Sequence, residues 1–276
     1  QFEQEILAID PAENGVSIVL KDGRTVLTKL LVGADGSNSA VRTLTEMSQT
    51  ECSYKHTAIV ANVEIKKNHN RCAYQCFTEL GPLAFLPLSS NKCSIVWSVF
   101  TDEADQLLSL TDTDFSNELQ RYFFSIVGEV ESISSRASYP LSRRHACSYI
   151  SRNVALIGDA AHTIHPLAGL GANLGLSDAA ALSQVITKAY LKNRSFSSQL
   201  VLRKYDRWRR SENELMLSII DAFHSLFGTS HPFFAKARSL GLNLTNKSSF
   251  MKEAFVKYAA GISDDTPELC RKILQK

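Results

Sequence analysis

Residues 155–182 read ALIGDAAHTIHPLAGLGANLGLSDAAAL. Four glycines, a proline and two histidines stand there between two strongly apolar runs. Val154–Ile157 predicts a short buried strand, and the run from Leu174 to Leu191 predicts a buried helix. Between them Gly158, Gly169 and Gly171 permit positive φ and leave backbone N–H groups uncovered. A strand that ends in such a loop and opens a helix suits an anion or a polar ring, because the N–H groups and the positive helix end point at the ligand. Asp159, where the strand stops, offers a carboxylate to ligand hydroxyls, as an acidic residue does for ribose in dinucleotide folds. Pro166 offers a rigid, donor-free surface over which a flat ring can lie. The same residues also read as a plain glycine-rich turn. Asp159, His162 and His165 read as a metal-ligand trio too, but Pro166 and the glycines argue against the helix that their spacing requires, and no fourth ligand is evident. His162 is expected to pack and hydrogen-bond locally.

Working outward, the flanking sequence predicts mixed α and β structure. Val16–Leu20 and Thr25–Lys29 around Asp22-Gly23 predict a β-hairpin. Leu30–Gly33 predicts a buried strand that stops at Ala34-Asp35-Gly36. Tyr54–Ile65, Cys72–Phe77, Leu83–Leu88 and Cys93–Phe100 predict an antiparallel sheet, their breaks marked by Gly81-Pro82 and Ser89-Ser90-Asn91. Asp102–Leu110 and Asp114–Val127 predict helices, with Thr111 and Asp114 placed for a capping box. Val130–Ser138 predicts one more strand, and helical patterns follow near 199–227, 231–241, 248–260 and 267–275.

The chain has 276 residues, 44% apolar and 21% charged, with a net charge of +2. That balance fits a packed globular protein and gives no argument for nucleic acid. The basic cluster Arg203-Lys204-Tyr205-Asp206-Arg207-Trp208-Arg209-Arg210 reads as the solvated face of a helix. Six cysteines without a CxxC pair suggest reduced thiols and a cytoplasmic setting. No apolar run reaches the about 18 residues of a membrane span.

Two motifs carry a family resemblance. Gly158-Asp159-Ala160-Ala161-His162, followed by Pro166, Gly169, Gly171, Asn173 and Asp178, resembles the second FAD-binding motif of flavin-dependent aromatic hydroxylases, the p-hydroxybenzoate-hydroxylase-like group A monooxygenases. Val32-Gly33-Ala34-Asp35-Gly36-Ser37-Asn38-Ser39-Ala40-Val41-Arg42 resembles their Asp-Gly motif. Ala84–Leu88, Ser94–Ser98, Tyr139-Pro140-Leu141 and Thr163–Gly169 look like the ubiquinone-biosynthesis branch of that family. The chain departs from that branch at Leu170, where Gln is usual, and at Ala172, where a larger apolar residue is usual. It also lacks the opening strand, GxGxxG turn and helix that hold the ADP half of FAD, which leads to the expectation of an N-terminally truncated fragment that binds flavin weakly or not at all.

The resemblance implies an α/β, p-hydroxybenzoate-hydroxylase-like fold without its first Rossmann unit. Residues 1–51 and 144–205 would form the remainder of the FAD-binding domain, 52–143 an antiparallel-sheet substrate domain, and 206–276 C-terminal helices. It implies FAD contacts from Asp35, Gly36, Arg42, Gly158, Asp159, Pro166, Gly169, Gly171, Ala172 and Asn173, largely through backbone. Asp159 would bind the ribityl chain, Pro166 would border the ring, and the helix opening near Gly171 would place its positive end by the flavin N1–C2=O region. It implies NAD(P)H as reductant and O₂ as oxidant, with a polyprenylated phenol hydroxylated through a flavin C4a-hydroperoxide and no catalytic acid or base assigned. A halogenase, a prenyl reductase and an inactive, flavin-free fragment remain alternatives. Tyr74, Phe85 and Trp97 are candidates for the substrate wall and equally for ordinary core. A tailed substrate implies peripheral contact with the inner face of the cytoplasmic membrane or a ubiquinone-biosynthesis complex. A candidate docking face is Phe223, Leu226, Phe227, Phe233, Phe234, Leu240 and Leu242, with Arg203, Lys204, Arg207, Arg209, Arg210, Lys236 and Arg238 as basic neighbours; most of the phenylalanines read more readily as packing a helical tail onto the flavin domain.

Overall fold

A computed structural model describes residues 4–12, 14–166, 169–228 and 266–271, apart from the side chains of 124–125 and 223–228. The expected docking residues from Phe223 to Leu242 therefore lie outside the described side chains. The chain divides into two compact units, Gln1–Cys52 with Arg143–Lys276, and Ser53–Ser142.

The first unit opens with an antiparallel sheet of β1 (Ile6–Ala12), β2 (Gly15–Leu20) and β3 (Thr25–Thr28). The Asp22-Gly23 turn closes the β2–β3 hairpin, with Gly23 at φ 84° and Val19 opposite Thr25. β4 (Leu31–Gly33) leads through the Asp-Gly segment into the short helix α1 (Ala40–Leu44). Much later, β11 (Ile150–Ser151) and β12 (Val154–Leu156) complete a second sheet in the order β11-β12-β4. β12 runs parallel to β4, pairing Val154 with Leu31 and Leu156 with Gly33. The fit at Gly33 is close, since a Cβ there would stand 2.7 Å from Leu156 Cδ2. Two segments about 120 residues apart thus end side by side, at the carboxyl ends of parallel strands where α/β folds bind their ligands.

Helix α4 (Gly171–Tyr190) begins earlier than the apolar run suggests. It is also not wholly buried: Asp178, Ala180, Ala181, Leu182 and Ala189 face inward, whereas Leu176 is 67% exposed. Small side chains make up the packed stripe, so the helix approaches its neighbours closely and its large apolar groups turn outward. α5 (Gln199–Gly228) packs against it, burying Val201, Leu202, Tyr205 and Leu217, and the short α6 (Glu268–Arg271) follows. α5 runs unbroken across 205/206, so the boundary expected there falls inside a helix.

The second unit is an antiparallel sheet backed by two helices. Its order is β10-β5-β8-β7-β6, from β5 (Gln49–Ile65), β6 (Tyr74–Phe77), β7 (Pro82–Pro87), β8 (Lys92–Phe100) and β10 (Ala137–Ala146), with β9 (Val130–Ile133) paired to β5. The single strand expected at Val130–Ser138 is thus two strands, β9 and the start of β10. α2 (Thr101–Ser109) and α3 (Asp112–Val127) cover one sheet face. Thr111 caps α3: its Oγ1 accepts from Asp114 N at 3.1 Å and donates to Asp114 Oδ2 at 2.7 Å. Ile59, Leu83, Phe85, Ile95 and Trp97 pack beneath these helices against Phe115, Leu119 and Phe123. Phe85 packs against Phe123 with ring centres 4.7 Å apart and planes tilted by 45°, Trp97 meets Phe115 edge-on at 6.0 Å, and neither Phe85 nor Trp97 is exposed. Phe85 and Trp97 are therefore core aromatics, not part of an open wall. The sheet alternates, and its other face carries Val60, Val96 and Ala84 in register.

Candidate functional site

At the end of β4, Asp35 serves the backbone. Its carboxylate accepts from Ser39 Oγ at 2.5 Å and from Val41 N at 3.0 Å. Ser39 in turn N-caps α1 by accepting from Arg42 N at 2.9 Å. Gly36 turns the chain with φ 82°, and a Cβ there would meet nothing within 4 Å. Arg42 is buried, and its guanidinium donates to Ser37 O at 2.8 Å and to Ala160 O at 2.9 Å. One side chain thus staples the Asp-Gly segment to the glycine-rich turn, which gives Arg42 a structural task that the sequence did not reveal.

At the end of β12, Gly158 takes φ 59° and opens a single 3-10 turn, Gly158–Ala160. A Cβ on Gly175 would lie 3.1 Å from Gly158 Cα, so this pair of glycines lets α4 rest directly on the turn. Asp178, one turn further along α4, lies beneath. It is fully buried and receives four hydrogen bonds: from Gly158 N at 3.1 Å, His162 Nε2 at 2.6 Å, Arg209 Nε at 2.8 Å and Asn213 Nδ2 at 3.1 Å. Burial alone would raise its carboxyl pKa, but His162 and Arg209 outweigh that and hold it below the usual carboxylate range.

The polar cluster continues. Asn213 Nδ2 also donates to Tyr149 Oη at 3.2 Å, and Tyr149 Oη lies 2.9 Å from His145 Nε2. Burial, then the neighbouring His162, pushes the His145 imidazole below its ordinary pKa. Tyr205 donates to Leu156 O at 2.6 Å, and Asp206 accepts from Tyr149 N at 2.8 Å. Arg209 and Asp206 are therefore interior groups, and the reading of residues 203–210 as one solvated face is corrected at both. The local hydrogen bond expected of His162 is made to Asp178.

Above this support the surface is open. Asp159, Pro166, Gly169, Ala172 and Asn173 are exposed. Asp159 makes no hydrogen bond among the described residues. Gly169 has φ 61° and faces open space. Gly171 differs from the expectation: it is the first residue of α4 and has no positive φ, and a Cβ there would touch only Ile164 Cγ1, at 3.9 Å. Leu170 precedes the helix without a side-chain cap, so among the described residues nothing caps the first N–H groups of α4, which can meet a ligand. Open backbone at glycines, an uncapped helix start and one unengaged carboxylate form a cradle that fits a cofactor with a flat polar ring and a hydroxylated chain.

Comparison with known proteins agrees with this geometry. The sequence profile of a family described as an FAD-binding domain matches residues 1–217. A ubiquinone hydroxylase, UbiL, of Rhodospirillum rubrum is 37% identical over 263 residues, which cover 94% of this chain and 61% of the relative. A 3-demethoxyubiquinol 3-hydroxylase of Escherichia coli is 35% identical over 257 residues, covering 93% of this chain and 66% of the relative. This chain thus spans roughly three-fifths to two-thirds of the length of these curated relatives. Among solved structures, p-nitrophenol 4-monooxygenase of Pseudomonas putida matches with a TM-score of 0.75 at 17% identity, over 94% of this chain and 66% of that one. HpxO of Klebsiella pneumoniae, solved with FAD and uric acid, matches with a TM-score of 0.68 at 18% identity, over 99% and 67%. The mixed α/β architecture of this chain is the fold of these two solved proteins.

Proposed function

The chain belongs to the family that shares this FAD-binding domain, and from that premise we propose that the protein is an FAD-dependent monooxygenase that hydroxylates the ring of a polyprenylated phenol in ubiquinone biosynthesis. O₂ supplies the oxygen and NAD(P)H the electrons. The ubiquinone hydroxylases at 35–37% identity support the substrate class. The observation that carries the reading is the parallel pairing of β4 with β12, which sets Asp35-Gly36 and Gly158-Asp159 at one edge beside the open start of α4.

FAD, when bound, supplies the oxygen-activating chemistry. The chain's own residues bind and orient it. Asp159 would hold the ribityl hydroxyls, and Pro166, Gly169, Gly171, Ala172 and Asn173 would border the ring. The N–H groups that open α4 would offer hydrogen bonds and a positive helix end to the polar edge of the ring. Asp35, Gly36 and Arg42 complete the site, Asp35 and Arg42 by fixing the loop through the hydrogen bonds already described. No side chain is assigned as acid or base. In the second unit the sheet face with Val60, Ala84 and Val96 is the apolar surface left for an aromatic ring, since α2 and α3 cover the other.

Among the described residues no helix is long and apolar enough to cross a membrane. A polyprenyl tail nonetheless keeps the substrate in lipid, so the protein works peripherally at the membrane or within a biosynthetic complex. The test is product analysis of the protein supplied with FAD, NAD(P)H, ¹⁸O₂ and a short-chain prenylated phenol. One labelled ring hydroxyl is expected. NAD(P)H consumption with reduction of the prenyl chain, or with halide incorporated, contradicts the assignment.

A further inference from the structure

At the opposite end of α4 from the cradle lies a second feature, about 30 Å away by helix length. The helix closes on Asn193, at φ 51°, a left-handed conformation that asparagine tolerates. Lys192 N and Arg194 N both reach Ala189 O, at 3.1 and 3.0 Å, so the reversal is tied down and Arg194 is turned back toward the helix. Between the end of α4 and the start of α5 is a cleft of about 150 Å³. Its floor is apolar and includes Val185 and Val201; its rim is Lys188, Lys192, Arg194 and Lys204.

Among the described residues no carboxylate lines this cleft. Lys188 is paired with Glu268 at 2.6 Å, in a bridge more than half exposed on both sides. The side chains of Lys192, Arg194 and Lys204 have no partner among the described residues. Two large apolar groups stand beside the rim, Leu191 at 74% and Leu200 at 76% exposed. Leu191 follows Lys188 by three residues and Leu200 precedes Lys204 by four, so each shares a helix face with a basic neighbour. A volume this small is far below that of a flavin or a tailed phenol, and it suits a single phosphate group. Clustered cations flanked by exposed leucines are what a surface needs to sit in a headgroup layer.

We propose that this cleft docks the protein on a membrane, the basic rim taking the phosphate of an anionic phospholipid while Leu191 and Leu200 enter the acyl boundary. The unpaired cations give the charge complementarity, and the leucines favour lipid over a soluble phosphate, which would leave them in water. The docking surface holds whether or not the flavin site acts on a prenylated phenol.

The experiment is co-sedimentation of the protein with phosphatidylcholine vesicles, with and without phosphatidylglycerol, at low and high salt. A basic residue near an anionic surface strengthens binding about fivefold. The wild type should bind only the vesicles that contain phosphatidylglycerol and lose that binding in high salt. Lys192→Glu/Arg194→Glu/Lys204→Glu should weaken binding more than a hundredfold, and Leu191→Ser/Leu200→Ser more than tenfold. All five positions are exposed, and an unchanged thermal midpoint and flavin absorbance separate this result from misfolding and from failure of the flavin site. Wild-type protein that ignores phosphatidylglycerol, or a triple variant that binds as well as wild type, overturns the proposal. So does a leucine variant with full vesicle binding together with protection of Lys192 and Lys204 from amine labelling by inorganic phosphate, which would assign the cleft to a soluble anion.

Discussion

Replacing Asp159 by alanine removes a carboxylate that is exposed and makes no hydrogen bond within the described residues. Folding should be indifferent to the change. FAD affinity should fall about ten- to a hundredfold, because a charge-assisted hydrogen bond contributes about 1.5–3 kcal/mol; flavin-fluorescence titration reads this directly. Asp178→Ala should behave in the opposite way. Removing it leaves buried Arg209 with Glu212 as its remaining carboxylate partner and takes the acceptor from Gly158 N, His162 and Asn213; each buried donor left unsatisfied costs about 1–3 kcal/mol, and a urea unfolding curve should show the loss even without flavin. The Asp178 carboxyl is held below its ordinary pKa, so its contribution is full above about pH 4 and is lost as pH falls through the folded-state value. His145, also held below its ordinary value, acts at higher pH. The unfolded chain takes up a proton near pH 6.5 that the folded chain resists, so stability drops as pH falls below about 6.5. His145→Gln should flatten the difference between unfolding midpoints at about pH 7.5 and about pH 5.5. An equally steep difference in the variant would place the acid sensitivity elsewhere.

The elements show what the sequence could and could not disclose. Alternation and turn residues located β5 to β8, and the Thr111–Asp114 spacing located the start of α3, because these are local signals. The partner of β4 was not legible: nothing in Leu31-Val32-Gly33 says that Val154-Ala155-Leu156 will lie beside it, since a parallel pairing across a whole inserted unit leaves no local trace. The Asp178 cluster was equally hidden. Asp178 stood out only as part of the glycine-rich motif, and Arg209 read as part of a solvated face, whereas α5 turns both Arg209 and Asn213 inward onto it. Gly171 was misjudged because glycine suggests unusual φ, whereas here it opens an ordinary helix. Phe85 and Trp97 were undecidable by composition, and the side on which α2 and α3 pack decides them. Phe85→Ala should therefore destabilise the second unit by about 3–5 kcal/mol, as deletion of a core aromatic does. Phe85→Leu should lower stability modestly while leaving KM for the phenol unchanged. A shifted KM at unaltered stability would return Phe85 to the substrate surface.

On the scale of the whole molecule, the first unit carries two ends of one helix with different tasks. The start of α4 lies open beside the strand ends of β4 and β12, and its far end carries the basic cleft. The claim that everything else depends on is that the start of α4 is the flavin cradle. Gly171→Val tests it most directly, because among the described residues a Cβ there meets only Ile164 Cγ1, at 3.9 Å, and no positive φ is involved. The measurement is the FAD dissociation constant of this variant against wild type, with thermal unfolding of both in the absence of flavin. The account predicts at least tenfold weaker FAD binding at a nearly unchanged unfolding midpoint. Equal affinity in a folded variant would contradict it, and the ring would have to lie elsewhere.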